Sequence, residues 1–281
     1  MNIINAIMNL VKHPVTHLVH DYQGRNRANN AGDALEEYIK DLFAGTFDLP
    51  ENERLETISR VFSYLGNNSN PPDAMLRGGD AIEVKKIETD GAALALNSSY
   101  PKHTVLASSP MISSACKTAE RWTEKDIIYA VGVVDRNTND LKHLCMVYGL
   151  DYCASDECSS RIKKTIKSGV EAIPGIEFAE SRELGHINKV DPLGITYMRV
   201  RGMWGIENPW NVFRYIYSGG TASTFDFMCI VNDTKWATFD NRHELTTLAS
   251  RCASLSIRNV RVKNPDNPAQ LQGAKLITFG I

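Results

Sequence analysis

Apolar residues recur at helical spacing in four stretches of the chain. In "DALEEYIKDLFAG" Ala34, Leu35, Tyr38, Ile39 and Leu42 share one face, and Gly45 stands where a helix would stop. The opening "MNIINAIMNLVKHPVTHLVHDYQ" predicts an amphipathic helix, "RLETISRVFSYLG" a helix ended at Gly66, and "DECSSRIKKTIKSGV" a helix exposing Lys163, Lys164 and Lys167. Strand patterns occupy "DAIEVKKIE" and "AALALNSS", joined by a turn at Asp90 and Gly91, then "KHTVLASSP". "DIIYAVGVVD" and "LKHLCMVYGLDYC" predict a hairpin around "RNTND", and "AKLITFGI" predicts a terminal strand. "NNSNPP" is expected to be a loop that delivers Asp73.

No repeat, low-complexity tract or long linker interrupts the 281 residues, so one mixed α/β domain accounts for the chain. Apolar content of 43% and charged content of 23% are those of a globular protein, with no membrane span visible. The N-terminal run lacks a basic leader and a small-residue cleavage site. Six scattered cysteines form no CxxC pair, so free thiols in a reducing cytoplasm are expected. A formal net charge of −2 argues against a protein that coats nucleic acid non-specifically, while leaving a site-specific DNA enzyme possible.

Candidate chemistry sits in "NPPDAMLRGGDAIEVKKIE". On a strand, Glu83 and Lys85 project from one side roughly 7 Å apart, and Asp73 can return to that side. Two carboxylates this close repel unless a cation bridges them, and hard oxygen ligands suit Mg²⁺, which prefers a phosphate partner. A neighbouring lysine can orient a water or stabilise charge on the phosphate. The chemistry that uses all three is attack of a metal-activated water on a phosphodiester. The competing reading makes Glu83 and Lys85 an ordinary solvated strand face. Asp80 is a rival to Asp73, but it lies only three residues before Glu83. Lys86 should point away from Lys85.

Pro72-Asp73 followed by Glu83-Val84-Lys85 resembles the PD-(D/E)xK nuclease motif, and "NNAGDALEEYIKDLF" resembles the first core helix of that superfamily. "RNRANNAGDALEEYIKDLF", "GGDAIEVKKIE", "ALNSSYPKHTVLASSPMI" and "MRVRGMWGIENPWNVF" are similar to the NgoPII-like type II restriction endonucleases. The resemblance implies a restriction-endonuclease-like core, a central mixed β-sheet flanked by helices. It implies a single endonuclease domain over 1–281, with the catalytic core at about 30–150 and recognition and remaining core elements at about 151–281. It makes Asp73 and Glu83 metal ligands and Lys85 the catalytic lysine, with Glu36 as accessory carboxylate. Glu37 is the rival of Glu36, because neighbours on a helix point about 100° apart and only one can face the site.

Guanine is read most often by Arg and adenine by Asn or Gln. "GHINKVDPLGITYMRVRG" offers Asn188, Lys189, Arg199 and Arg201, with the two arginines expected on one strand face. Arg25 and Arg27 precede the Glu36 helix and suit phosphate contact, though a capping loop explains them as well. Trp204, Trp210, Phe213 and Tyr215 are read as core. The leading expectation is a Mg²⁺-dependent homodimer that cuts double-stranded DNA at a short palindrome, leaving 5′-phosphate ends, paired with a cognate methyltransferase. The resemblance suggests GGCC as the site. The alternatives are a repair or structure-selective nuclease of the same superfamily and a non-catalytic DNA-binding protein.

Overall fold

The Asn2 side chain accepts from the backbone N–H groups of Ile4 and Asn5, and Asn5 caps the Asn2 N–H in return, which starts helix α1 (Ile3–Lys12). The computed structural model describes residues 1–18, 31–67, 70–179, 184–219 and 224–281. The helix expected across the first 23 residues ends at Lys12, one residue before the restricted His13-Pro14 step, and His17 forms an isolated β-bridge with Asp140. Helix α2 (Ala31–Ala44) starts two residues before the expected Asp33 and ends where expected, with Gly45 leaving it at φ +68°.

Helix α3 (Glu51–Val61) stops five residues short of Gly66, because "FSYLGN" is strand β1 (Phe62–Asn67) paired antiparallel with β2 (Asn70–Leu76). The "NNSNPP" loop is corrected with it: Asn70, Pro71 and Pro72 already belong to β2, and Asp73 stands on a strand. Prolines are tolerated near strand ends.

Next come β3 (Ala81–Ile87), β4 (Leu94–Asn97), β5 (Thr104–Leu106), α4 (Ser114–Thr118), β6 (Glu124–Val134) and β7 (Leu141–Tyr148). They are followed by α5 (Gly149–Tyr152), α6 (Asp156–Glu171), β8 (Glu177–Ala179), β9 (Gly185–Asn188), β10 (Met198–Val200), β11 (Trp204–Ile206) and α7 (Pro209–Val212). The chain ends with β12 (Asp226–Asn232), α8 (Asp233–Ala237), α9 (Arg242–Arg251), β13 (Leu255–Asn264) and β14 (Asn267–Gly280).

The main sheet runs β1-β2-β3-β6-β7-β12-β14-β13, with β5 also paired to β6. It is mixed: β3 with β6 and β7 with β12 are parallel, and the other pairs are antiparallel. Period-two alternation gives each face its own core. From β6, Ile128 and Ala130 pack with α1, α2 and Leu245 of α9, while Tyr129, Val131 and Val133 pack with Tyr152, Phe213 and Trp210 on the opposite side. Gly132 lets α2 lie close to the sheet, since a Cβ there would stand 2.6 Å from a Leu35 methyl. Two small sheets, β8-β9-β10 and β4-β11, lie outside the main one. Among the described residues no helix is long and apolar enough to cross a membrane, and all six cysteines are free thiols.

Where β7 and β12 end side by side, Asn232 donates to both oxygens of buried Asp151, at 3.0 and 3.3 Å. Burial, only partly offset by those bonds, pushes the Asp151 carboxyl up to about 6 from its ordinary 3.8. The folded value lies above the unfolded one, so this group's stabilising contribution is complete below about 4 and is lost as pH rises through 6. Asp151→Asn should therefore remove a cost on the order of 2 kcal/mol at pH 8. Its melting temperature should exceed the parent's at pH 8 and converge with it towards pH 4.5. A constant difference across that range would refute the assignment.

Candidate active site

Strands β2 and β3 pair over only two positions, Ala74 with Ile82 and Met75 with Ala81, and then part. At the parting point the backbone N–H of Val84 donates to Asp73 Oδ2 at 2.7 Å. Asp73 thus replaces a ladder bond with a carboxylate and is held in the opening. On the neighbouring strand Lys85 Nζ lies 2.6 Å from Glu83 Oε1 and 3.8 Å from Asp73 Oδ2. Asp73, Glu83 and Lys85 therefore converge, as their spacing predicted.

Glu36 approaches from α2. A small cleft between that helix and the parting strands is lined by Glu36, Lys40, Asp73 and Val84. Glu37 turns the other way: its two oxygens take Lys40 Nζ at 2.8 Å and Arg54 Nη2 at 2.6 Å, and Arg54 Nε reaches Asp41 at 2.6 Å. This choice between adjacent glutamates is fixed by an arginine on α3, a tertiary contact that helix periodicity does not contain.

The electrostatics are those of crowded acids. Burial, and then the negative charge of Asp73, push the Glu83 carboxyl up to about 7, with Lys85 opposing both. Burial raises Asp73, against the pull of Lys85 and the Val84 N–H. Glu36 is raised by burial first and by Asp73 second. Lys85 is itself raised, since Glu83 and Asp73 outweigh its desolvation. Glu83 Oε2 is buried and has no hydrogen-bond partner among the described residues. Such an orphaned carboxylate oxygen is costly and suits a cation. Among the described residues no three His, Cys, Asp or Glu side chains form a ready metal cage. A pair of carboxylates nonetheless fits Mg²⁺, which keeps several of its waters and uses one or two carboxylates with substrate phosphate.

The rival Asp80 is committed elsewhere, accepting from Tyr148 Oη at 2.8 Å and Lys235 Nζ at 2.6 Å. Lys86 points away from Lys85 and pairs with Glu88 at 2.8 Å. Two lysines passed unnoticed in the sequence. Lys40 lies one helical turn after Glu36 in the same cleft, a spacing that was readable. Lys102 is buried against the Tyr100 ring, 3.5 Å from its centroid, and burial pushes its amine down to about 8. No local pattern marked it.

The candidates for base reading lie on the β8-β9-β10 sheet. Asn188 ends β9, and Lys189 follows at φ 49° with its amine 2.7 Å from Glu177. Arg199 is paired across from His186 on β10, and both Arg199 and Arg201 are exposed. The shared strand face expected for the two arginines is corrected, because β10 ends at Val200 and Arg201 lies beyond it. Arg25 and Arg27 lie outside the described residues. Phe213 is core and Trp210 is partly buried against it, but Tyr215 is 46% exposed, its hydroxyl accepting from the Lys263 N–H.

The model of the NgoPII restriction endonuclease family matches residues 1–263. The chain is 59% identical to the type II restriction enzyme NgoPII of Neisseria gonorrhoeae over 279 residues, covering 99% of each sequence. No solved structure gives a significant match.

Proposed function

The chain belongs to the NgoPII restriction endonuclease family, and from that membership we propose how it cuts DNA and with which residues. It is a type II restriction endonuclease, a hydrolase of DNA phosphodiesters. The observation that carries the assignment of the active centre is the orphaned Glu83 oxygen in an opening shared with Asp73 and Lys85. Asp73 and Glu83 would hold Mg²⁺, which would supply Lewis acidity towards the scissile phosphate and ease deprotonation of an attacking water. Lys85, fixed between the two carboxylates, orients that water and offsets the charge developing on the phosphate. Glu36, whose carboxyl sits above its usual range, holds a proton or a water at the far side of the cleft.

The whole chain acts as one endonuclease domain. Asn188, Lys189, Arg199 and Arg201, with Arg25 and Arg27, contact the duplex. A homodimer matches its two-fold axis to a short palindrome, GGCC being the sequence suggested by the resemblance, and leaves 5′-phosphate ends. The enzyme works in the cytoplasm, where a cognate methyltransferase protects the host's own sites.

Digestion of an unmethylated plasmid of known sequence tests this reading. Discrete fragments are expected with Mg²⁺ and none with EDTA, and sequencing of the ends gives the site and the cut position. A folded protein that leaves the plasmid intact under every condition, or that degrades it without preference, would overturn it.

A further inference from the structure

Among the described residues five buried side-chain polar atoms have no hydrogen-bond partner. One is the Glu83 oxygen of the active centre, and three others, His143 Nδ1, Asn208 Nδ2 and Trp210 Nε1, belong to residues that line a single cleft of about 170 Å³. One unsatisfied buried atom is already costly, so three around the same space mark a place shaped for a polar ligand. Asn208 is fully buried, and its Oδ1 accepts from the Trp210 backbone N–H at 3.0 Å, which fixes the amide and leaves its Nδ2 hydrogens to give. Trp210 Nε1 can only donate. The Trp210 ring stands 5.1 Å from that of His143, whose Nε2 lies 3.6 Å from Asp90 Oδ1.

The cleft is on the catalytic face of the main sheet. Glu83, Lys85 and Ile87 of β3 pair with Tyr129, Val131 and Val133 of β6, and Val133 pairs with His143 of β7. Paired residues share a face, so His143 projects on the side of Lys85, about 12 Å away by two strand spacings and one pleat repeat. At about 3.4 Å per step along a DNA strand, this spans about three to four nucleotides. A base held in the cleft therefore belongs to the same short site as a phosphate at Lys85.

Charge and donor type indicate the ligand. One cation, Arg214, and one carboxylate, Asp90, are the formal charges among the lining Asp, Glu, Lys and Arg side chains, and both are exposed, so a phosphate gains no net attraction. The unsatisfied donors suit neutral acceptors, the carbonyl oxygens and ring nitrogens of guanine, cytosine or thymine. Atoms this deeply buried are reached by a base only when it is turned out of the stack.

We propose that the cleft formed by His143, Asn208 and Trp210 receives a carbonyl-bearing nucleobase extruded from the bound duplex. The inference rests on the reading that this chain cuts duplex DNA, and it adds a base contact separate from the β8-β9-β10 sheet.

The test uses the Lys85→Ala chain, in which cleavage is suppressed, and oligonucleotides carrying the site read from plasmid ends. An abasic position is placed opposite each base in turn. Opposite the extruded base it removes the cost of unpairing, so binding should tighten by about tenfold at one position, or at two related by symmetry, and not at the others. Two further substitutions remove single donors: Asn208→Asp keeps the oxygen that accepts from the Trp210 N–H, and Trp210→Phe keeps an aromatic ring. Each should abolish the position-specific tightening and, with Lys85 intact, lower cleavage of the site by about tenfold. Thermal unfolding reports whether each variant is folded.

The same response to an abasic position everywhere in the site would overturn the proposal, because no one base is then extruded. So would Asn208→Asp and Trp210→Phe enzymes that bind and cut like the parent, which would leave the cleft to water. Weakening that is equal for the site and for an unrelated duplex would assign the cleft to the phosphate backbone and also overturn it. Failure of the parent to cut in the plasmid assay would remove the nuclease reading itself, which separates the two failures.

Discussion

Asp73→Asn and Lys85→Ala should each slow DNA cleavage by about 10³-fold or more while leaving binding of the duplex within about tenfold of the parent. The expectation follows from how closely these three side chains are grouped in the opening between β2 and β3. Asp73 and Glu83 are the carboxylates beside Lys85, and Lys85 is the ammonium that touches both. Loss of either carboxylate removes a hard oxygen ligand. Loss of the amine removes the group that stabilises a growing negative charge, and a contribution of about 4 kcal/mol corresponds to about 10³-fold in rate. At position 73 the Asn and Ala substitutions should differ in stability. Asp73→Asn keeps an oxygen for the Val84 N–H but loses the charge, whereas Asp73→Ala would leave that N–H unsatisfied. Single-turnover cleavage measured beside an anisotropy titration separates rate from binding. A Lys85→Ala enzyme that still cuts within tenfold of the parent would remove Lys85 from the mechanism. Glu37→Gln is the control, because that carboxylate is committed to Lys40 and Arg54.

The second large effect concerns folding. Arg54 is 2% exposed and binds both Glu37 and the fully buried Asp41, whose carboxylate also accepts from the Thr46 hydroxyl. Arg54→Met keeps the length of the side chain and strips the guanidinium from two carboxylates, one of them out of reach of water. Breaking a buried pair from one side costs about 3–5 kcal/mol. For a chain of this size the melting temperature should fall by about 10 °C. Adding Asp41→Leu removes the stranded charge and should recover part of the loss. If Arg54→Met melts like the parent, the network contributes nothing net. Because the same arginine draws Glu37 away from the cleft, activity in Arg54→Met should fall further than the fraction unfolded explains.

How much of this was legible depended on whether local pattern and tertiary contact agreed. Helix α2 was readable because its apolar spacing and the Gly45 stop are both local. The convergence of Glu83 and Lys85 was legible in the motif, since period two on β3 fixes which side chains share a face, and Asp73 joins them from β2. The strand under Asp73 was hidden by Pro71 and Pro72, which read as loop punctuation and here stand near the start of β2, between β1 and β3. Residues 62–66 continued a helical rhythm, and only pairing with β2 turns them into β1. Strand β13 gave no signal, because only Leu255 and Val262 of its ten residues are buried, so period two never shows. The choice of Glu36 over Glu37 lay in Arg54, seventeen residues away on another helix.

That concealed strand bears on how the protein behaves at high concentration. Among the described residues β13 is one open edge of the main sheet, and its Arg258, Arg261 and Lys263 are exposed. A second chain docking there by strand addition would set cation against cation along an unpaired backbone, a common safeguard against edge-to-edge aggregation. The protection is Coulombic and therefore weakens with ionic strength. Concentrated stocks should stay dispersed in dilute buffer and begin to self-associate through this edge when salt screens it.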